Sequence, residues 1–378
     1  MSLHGMRLAN SGRMPRAEQL TTQLDRLASI DAGPFPVISL YLNLRPDEHG
    51  RDHFMPFLRK ELAERVPTYP ASGPERESLD RDAERIRGHL ATVDASANGL
   101  AIFACGGANL FEAITLAAPI DAHRLYISDR PHLYPLARVL DEYPRYVALL
   151  TDTHSARIFV FAVNTTEKSE QIESEKAKHH KQGGLAQARY QRHTENLHLH
   201  HAKEVADALA RVVRDEGIEK VVVAGDQVIL PRLREQLPKD VAERIVDMLT
   251  LDVRTPEHEF LAATLATLRK HDAVTDRERV DELIGAYRAN GLACVGVEAV
   301  RQAFELGQVD ELVISASPET IKDVQPESQE QSKPTKEERT ADELILRART
   351  TSAKIRFIED ASLLKPVGGV GAFLRFKL

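Results

Sequence analysis

Cysteine is almost absent from this chain: Cys105 and Cys294 are the only two, far apart and outside any C-x-x-C pattern. That excludes a disulfide framework and a zinc site built from cysteines, and it fits a reducing cytoplasm. Long apolar runs are missing too. No stretch approaches the ~18–20 uninterrupted apolar residues that span a bilayer, so no membrane partner is expected. Residues 1–19 scatter basic side chains without an apolar segment and cleavage site, and they read as a loose tail rather than a secretory signal. The signatures of common enzyme classes are also lacking. His258-Glu259 is followed by Ala262 where a zincin places histidine. Gly369-Val-Gly371 leads into a strand-like run instead of opening a helix, so it is no dinucleotide loop. There is no P-loop and no G-x-S-x-G, and no cofactor is expected.

What the chain does contain is a globular composition, 42% hydrophobic and 28% charged. Its 378 residues exceed one ordinary core, and two or three domains of about 100–150 residues are expected. Runs at 36–44, 98–104, 123–128, 146–150, 156–161 and 220–225 predict strands. The last is apolar from Val221 onward and reads as an interior strand. Helical patterns at 16–30, 51–66 and 75–91 fall among the early strands, and the turn-rich 151–155 predicts a hairpin. A long helix is expected from 186 to 216, with Leu197, Val205, Leu209 and Val212 on one face, His201 filling the gap and Gly217 as its stop. At 1.5 Å per residue it would run about 45 Å. A helix–strand–helix passage follows at 241–270. Beyond it come helices at 280–289, 298–306 and 342–350, strands at 311–315 and 354–358, and a closing strand-like segment at 367–376. In this last unit, strands alternating with helices predict a mostly parallel sheet covered on both faces. Residues 323–340 are polar and without aromatics, and they predict an exposed loop. The fold class is α/β: mixed sheets flanked by helices, with a flexible tail at 1–15 and domains at 16–143, 144–275 and 276–378.

The net charge of −7 does not by itself point to nucleic acid, and DNA is not expected as a partner. The distribution is more telling. Residues 176–192 hold five cations (Lys176, Lys178, Lys181, Arg189 and Arg192), with His179 and His180 among them and no carboxylate. Gly183 and Gly184 lie inside this run. Glycines let backbone N–H groups approach a phosphate or base, and cations near the positive end of a helix dipole attract anions. The plain alternative is a solvated loop before a helix. Six histidines (179, 180, 193, 198, 200 and 201) invite a metal, yet no pair has a carboxylate or cysteine at ligand spacing, so none is expected. Tyr190 could stack on a base, but it also fits the helix's apolar stripe, and core packing is the preferred reading.

The stretch Lys178-His-His-Lys-Gln-Gly-Gly-Leu-Ala-Gln-Ala-Arg-Tyr-Gln-Arg192 resembles the catalytic segment of the archaeal and eukaryotic class I release factors and their relative Pelota. That segment has Lys-His, a basic residue, Gly-Gly-Gln, and then a helix with Arg, aromatic and Arg at fixed offsets. Gly183, Gly184, Arg189, Tyr190 and Arg192 fall on matching positions. Gly296-Val-Glu298, Ala303-Phe-Glu-Leu-Gly307 and the strand at 311–315 are similar to the start of the family's C-terminal domain. The ending Gly368-Gly-Val-Gly-Ala-Phe-Leu-Arg-Phe376 resembles its close, and Val221-Val-Val-Ala-Gly225 resembles a family strand ending in Ala-Gly. These matches run colinearly over residues 146–378. The resemblance implies three α/β domains in release-factor order and a cytoplasmic location. It implies the ribosome and its rRNA as partner, with tRNA and a delivery GTPase as further candidates. RNA contact would fall to Lys176, Lys178, His179, His180, Lys181, Gly183, Gly184, Arg189 and Arg192.

Departures from the family pattern redirect the chemistry. The family's catalytic glutamine is Leu185 here, and leucine neither donates nor accepts a hydrogen bond. The stop-codon element Asn-Ile-Lys-Ser has no counterpart, nor do the cysteine pairs that bind zinc in some members. The expected role is therefore a ribosome-bound factor in hibernation, rescue or quality control. It would sit in the A-site region with Gly183-Gly184 directed to the peptidyl-transferase centre. The alternative is a peptidyl-tRNA hydrolase or tRNA-end-cleaving enzyme with Gln187 as catalytic group, and whether the protein is an enzyme stays open.

Overall fold

The computed structural model describes residues 16–45, 54–93, 97–173, 185–322 and 335–377. Its first part comprises α1 (Arg16–Ala28), β1 (Val37–Asn43), α2 (Phe54–Arg65), α3 (Pro74–Leu90), β2 (Gly99–Cys105), β3 (Leu110–Leu116), β4 (Arg124–Ser128) and α4 (Tyr134–Glu142). The strands form an antiparallel sheet of order β3-β2-β1-β4. β1 is buried on both faces because its side chains alternate between two cores. Ile38, Leu40 and Leu42 meet α2 and α3, while Val37 and Tyr41 meet α1 and α4.

The second part holds β5 (Tyr146–Thr151), β6 (Ser155–Ala162), β7 (Thr165–Glu173), α5 (Leu185–Asp215), β8 (Val221–Gly225), α6 (Ile229–Gln236), α7 (Lys239–Ala242), β9 (Ile245–Thr250) and α8 (Glu257–Arg288). Its sheet has the order β7-β6-β5-β8-β9, with β5, β8 and β9 parallel and β6 and β7 running against them. α5 and α6 cover one face through Val205, Leu209, Val213 and Leu233. α8 covers the other through Phe260 and Leu268. The hairpin expected around 151–155 and the interior position of 220–225 are both present.

The third part adds β10 (Ala293–Val295), α9 (Val297–Glu305), β11 (Val309–Ser315), α10 (Lys336–Thr350), β12 (Lys354–Ile358), α11 (Ala361–Leu364) and β13 (Val370–Leu374). The sheet order is β10-β13-β11-β12, and only β11 and β12 pair in parallel. The expectation of a mostly parallel sheet here is corrected. Gly368 and Gly369, at φ +80° and +81°, turn the chain back so that β13 enters antiparallel between β10 and β11. All three sheets are mixed or antiparallel and flanked by helices, as an α/β fold requires.

Two other expectations give way to observed geometry. The helices expected near 270 and at 280–289 are one continuous helix, α8, which passes through 275/276. Residues 271–279 hold no glycine or proline to break it, and Leu268, Asp276, Val280 and Leu283 keep a buried side. The loop expected over 323–340 ends earlier. Thr335 caps α10 in a capping box with Glu338, so 336–340 are already helical.

The first and third parts share one hydrophobic cluster. Leu24, Phe103 and Leu136 from the first join Phe304, Leu344, Ile345 and Phe357 from the third. A polar key lies beside it. Asp342 of α10 accepts the backbone N–H groups of Leu133 and Tyr134 at 2.9 and 2.8 Å, at the start of α4, and pairs with buried His132.

Candidate nucleic-acid interface

The middle sheet places its parallel strand ends, β5 and β8, at one edge, where ligand sites of open α/β sheets form. After β5, Asp152 organises the turn: its Oδ1 accepts the N–H groups of His154 and Ser155, both at 2.7 Å. Burial pushes the Asp152 carboxyl up, but these two bonds, with one from the Ser155 hydroxyl and the nearby His154, hold the group below its ordinary value. After β8, Asp226 accepts the N–H groups of Val228 and Ile229 at 2.8 and 2.9 Å in the turn that leads into α6.

α5 passes over this edge and continues beyond it. At 31 residues it is about 46 Å long, roughly three times a five-residue strand. Its packed half begins at His201 and Ala202 and continues through Val205, Ala206, Leu209, Val212 and Val213. None of residues 192–200 is buried. His198 meets the ring of His154 at 5.8 Å, which puts the edge of the sheet near that turn of the helix. Leu185 lies thirteen residues earlier, about 20 Å further along the axis. β7 ends at Glu173, which pairs with Ser155 at the same edge. The two chain segments that bracket residues 174–184 therefore both lie at the end of the sheet where β5 and β8 finish.

His201 is 1% exposed, as the filled gap in the apolar stripe predicts. Burial lowers its pKa, against a backbone bond involving Ser155 that raises it. His198 is lowered as well, by burial first and then by Arg232 and His154. A depressed histidine contributes stability that is intact above about pH 6.5, its ordinary value. That stability is lost as pH falls toward the folded value. Thermal melts of wild type and His201→Leu between pH 7.5 and 5 should show a smaller acid-induced drop in the variant. Equal drops would mean that another group carries the acid sensitivity.

Of the residues the sequence nominates, Lys176, Lys178, His179, His180, Lys181, Gly183 and Gly184 lie outside the described residues. Gln187 and Arg189 belong to the backbone of the first turns of α5, and their side chains also lie outside the description. Arg192 is exposed on α5. Sequence reasoning passed over His154 and Arg232, which the strand ends bring beside α5. Residues 151–155 carried only a turn signal, and nothing local ties that turn to a helix some forty residues later.

Comparison with known proteins adds the family. Residues 131–269 match the family described as bacterial archaeo-eukaryotic release factor family 10, and residues 273–378 match eRF1 domain 3. The chain is similar to peptide chain release factor subunit 1 of Pyrococcus abyssi, 23% identical over 95% of this chain and 98% of the relative. It is also similar to a pelota homolog of Pyrococcus furiosus, 26% identical over 46% of this chain and 48% of that one. A structure described as a model of ribosome-bound archaeal Pelota and ABCE1 aligns over 97% of this chain and 96% of its own, at 16% identity and TM-score 0.43. With a bacterial release-factor model over its middle and a release-factor third-domain model directly after it, the chain belongs to the release-factor and Pelota superfamily, as a member of bacterial type.

Proposed function

We propose that the protein is a ribosome-associated factor of the rescue, hibernation or quality-control kind. It occupies the A-site region and carries Gly183-Gly184 toward the peptidyl-transferase centre without reading stop codons. The observation that carries this reading is the reach of α5 beyond its sheet, with both flanks of the basic Gly-Gly segment at that end. Lys176, Lys178, His179, His180, Lys181, Arg189 and Arg192 then supply phosphate contacts, the main source of sequence-independent RNA affinity. Ribosomal RNA is the partner this chemistry fits, with tRNA beside it and a GTPase as the delivery candidate. Sucrose-gradient sedimentation of lysates tests the reading. The protein should move with ribosomes in growth, starvation or stalling, and a wholly free distribution in all three would overturn it.

Blocking or rescue by occupancy is favoured over hydrolysis. α5 begins at Leu185, so Leu185 and Gln187 are positions i and i+2 of one helix. Such positions project about 200° apart and do not share a face. This spacing argues against Gln187 as a stand-in for the family glutamine. On stalled ribosomes carrying peptidyl-tRNA, Gln187→Ala should leave peptide release and tRNA cleavage at the wild-type level. A tenfold or greater loss in the variant would restore the enzymatic reading.

A further inference from the structure

A cavity of about 300 Å³ lies between the first and third parts, and the ribosomal reading makes no use of it. Its volume is at the low end of the range for small-molecule sites. The first part supplies Tyr41, Ile120 and Tyr134 to the wall, and the third closes the other side with Ala316 and Pro318. Both tyrosine hydroxyls are engaged: Tyr41 donates to the carbonyl of His132 and Tyr134 to that of Ala316, each at 2.6 Å. Their polar ends are spent, which leaves ring surface for a ligand.

His132 lines the same cavity and is 1% exposed. It is held from several sides. Its backbone N–H donates to the Ser39 hydroxyl at 3.0 Å, its ring lies 4.1 Å from that of Tyr126, and its Nδ1 pairs with Asp342. A carboxylate at Nδ1 keeps the ring proton there and makes Nε2 an acceptor. Nε2 has no hydrogen-bond partner among the described residues. An oriented acceptor in a buried wall costs free energy until something donates to it.

The charges of the wall do not balance. Arg124 pairs with Glu338 at 3.1 Å, Arg138 pairs with Glu359, and Glu142 pairs with Arg269 at 2.6 Å. Asp121 and Glu319 also line the cavity, one from each part, and both are exposed at its rim. Neither has an ion pair among the described residues. The uncompensated charge is therefore negative, and it stands beside aromatic faces that attract cations.

We propose that this cavity binds a small organic ammonium compound. The ammonium donates to His132 Nε2, the carboxylates of Asp121 and Glu319 balance its charge, and its apolar body packs on the rings of Tyr41 and Tyr134. Asp342 acts through His132 as a positioning residue, because it fixes which ring nitrogen accepts.

Ligand-observed NMR titrations of the full chain test this with benzylamine, benzyl alcohol and benzoate, which share a ring and differ in charge. Benzylamine should bind saturably and about tenfold more tightly than the other two. The double variant Asp121→Asn with Glu319→Gln should lose that preference and melt like wild type, since both side chains are exposed. His132→Phe, which keeps a ring and removes Nε2, should weaken benzylamine as well. If that variant folds poorly, the rim double variant decides alone. Three results would each rule the site out: no saturable binding of benzylamine, alcohol or benzoate bound as tightly as the amine, or an amine preference that survives the double variant.

Discussion

Replacing Lys178, Lys181 and Arg189 together by glutamate should lower ribosome affinity by about 1,000-fold or more at low salt. The loss has two sources. Each cation that neutralises a phosphate releases counterions, so the logarithm of affinity falls with the logarithm of salt by about 0.7–0.9 per contact. Removing three contacts should flatten that slope by about two to three units. The three new carboxylates add direct repulsion from the phosphates, strongest where ionic screening is weak. Lys239→Glu is the matched control. Its side chain is 92% exposed, and α7 precedes the start of β9, at the opposite end of the middle sheet from His154. Filter binding or cosedimentation across a salt series decides the matter. A triple variant with an unchanged slope would remove the basic segment from the interface and overturn its role in RNA binding.

Asp342→Ala should produce the largest loss of stability of any single surface-adjacent change. The carboxylate is the only one bonded to the start of α4 among the described residues, where it accepts two backbone N–H groups from another part of the chain. It also pairs with the ring of His132, which is 1% exposed. Removing it leaves two helix-start donors and a buried imidazole without their acceptor. Leaving buried donors without their acceptor costs about 1–3 kcal/mol per group. Denaturant unfolding, followed by a probe in the first part and one in the third, should show both transitions at lower denaturant. A change under about 1 kcal/mol would mean that the shared apolar cluster of Leu24, Leu136, Leu344 and Phe357 holds the two parts together alone.

Asp342 also shows how sequence reading and tertiary structure divide the information. Locally it resembles the first residue of a helix at 342–350, since aspartate favours such positions. In the structure Thr335 and Glu338 take the cap, α10 starts at Lys336, and Asp342 is free to cap a different helix. Edge strands were hidden for a related reason. β7 has no buried residue along its nine positions, so it lacks the apolar alternation by which strands are recognised. β10 is three residues long, too short to offer a pattern.

By itself the sequence determined the α/β class, the interior strand at 220–225, the hairpin before it, and the long helix that ends at Gly217. Each of these follows from apolar periodicity or turn chemistry within about thirty residues. Tertiary structure decided the rest. Sheet order, the insertion of β13 and the partnership of Asp342 with α4 all depend on residues far apart in the chain, and local propensity carries no term for such contacts. The same division holds for the candidate interface: the cations and glycines were legible as composition, whereas the reach of α5 past His154 appeared only when the strands were paired.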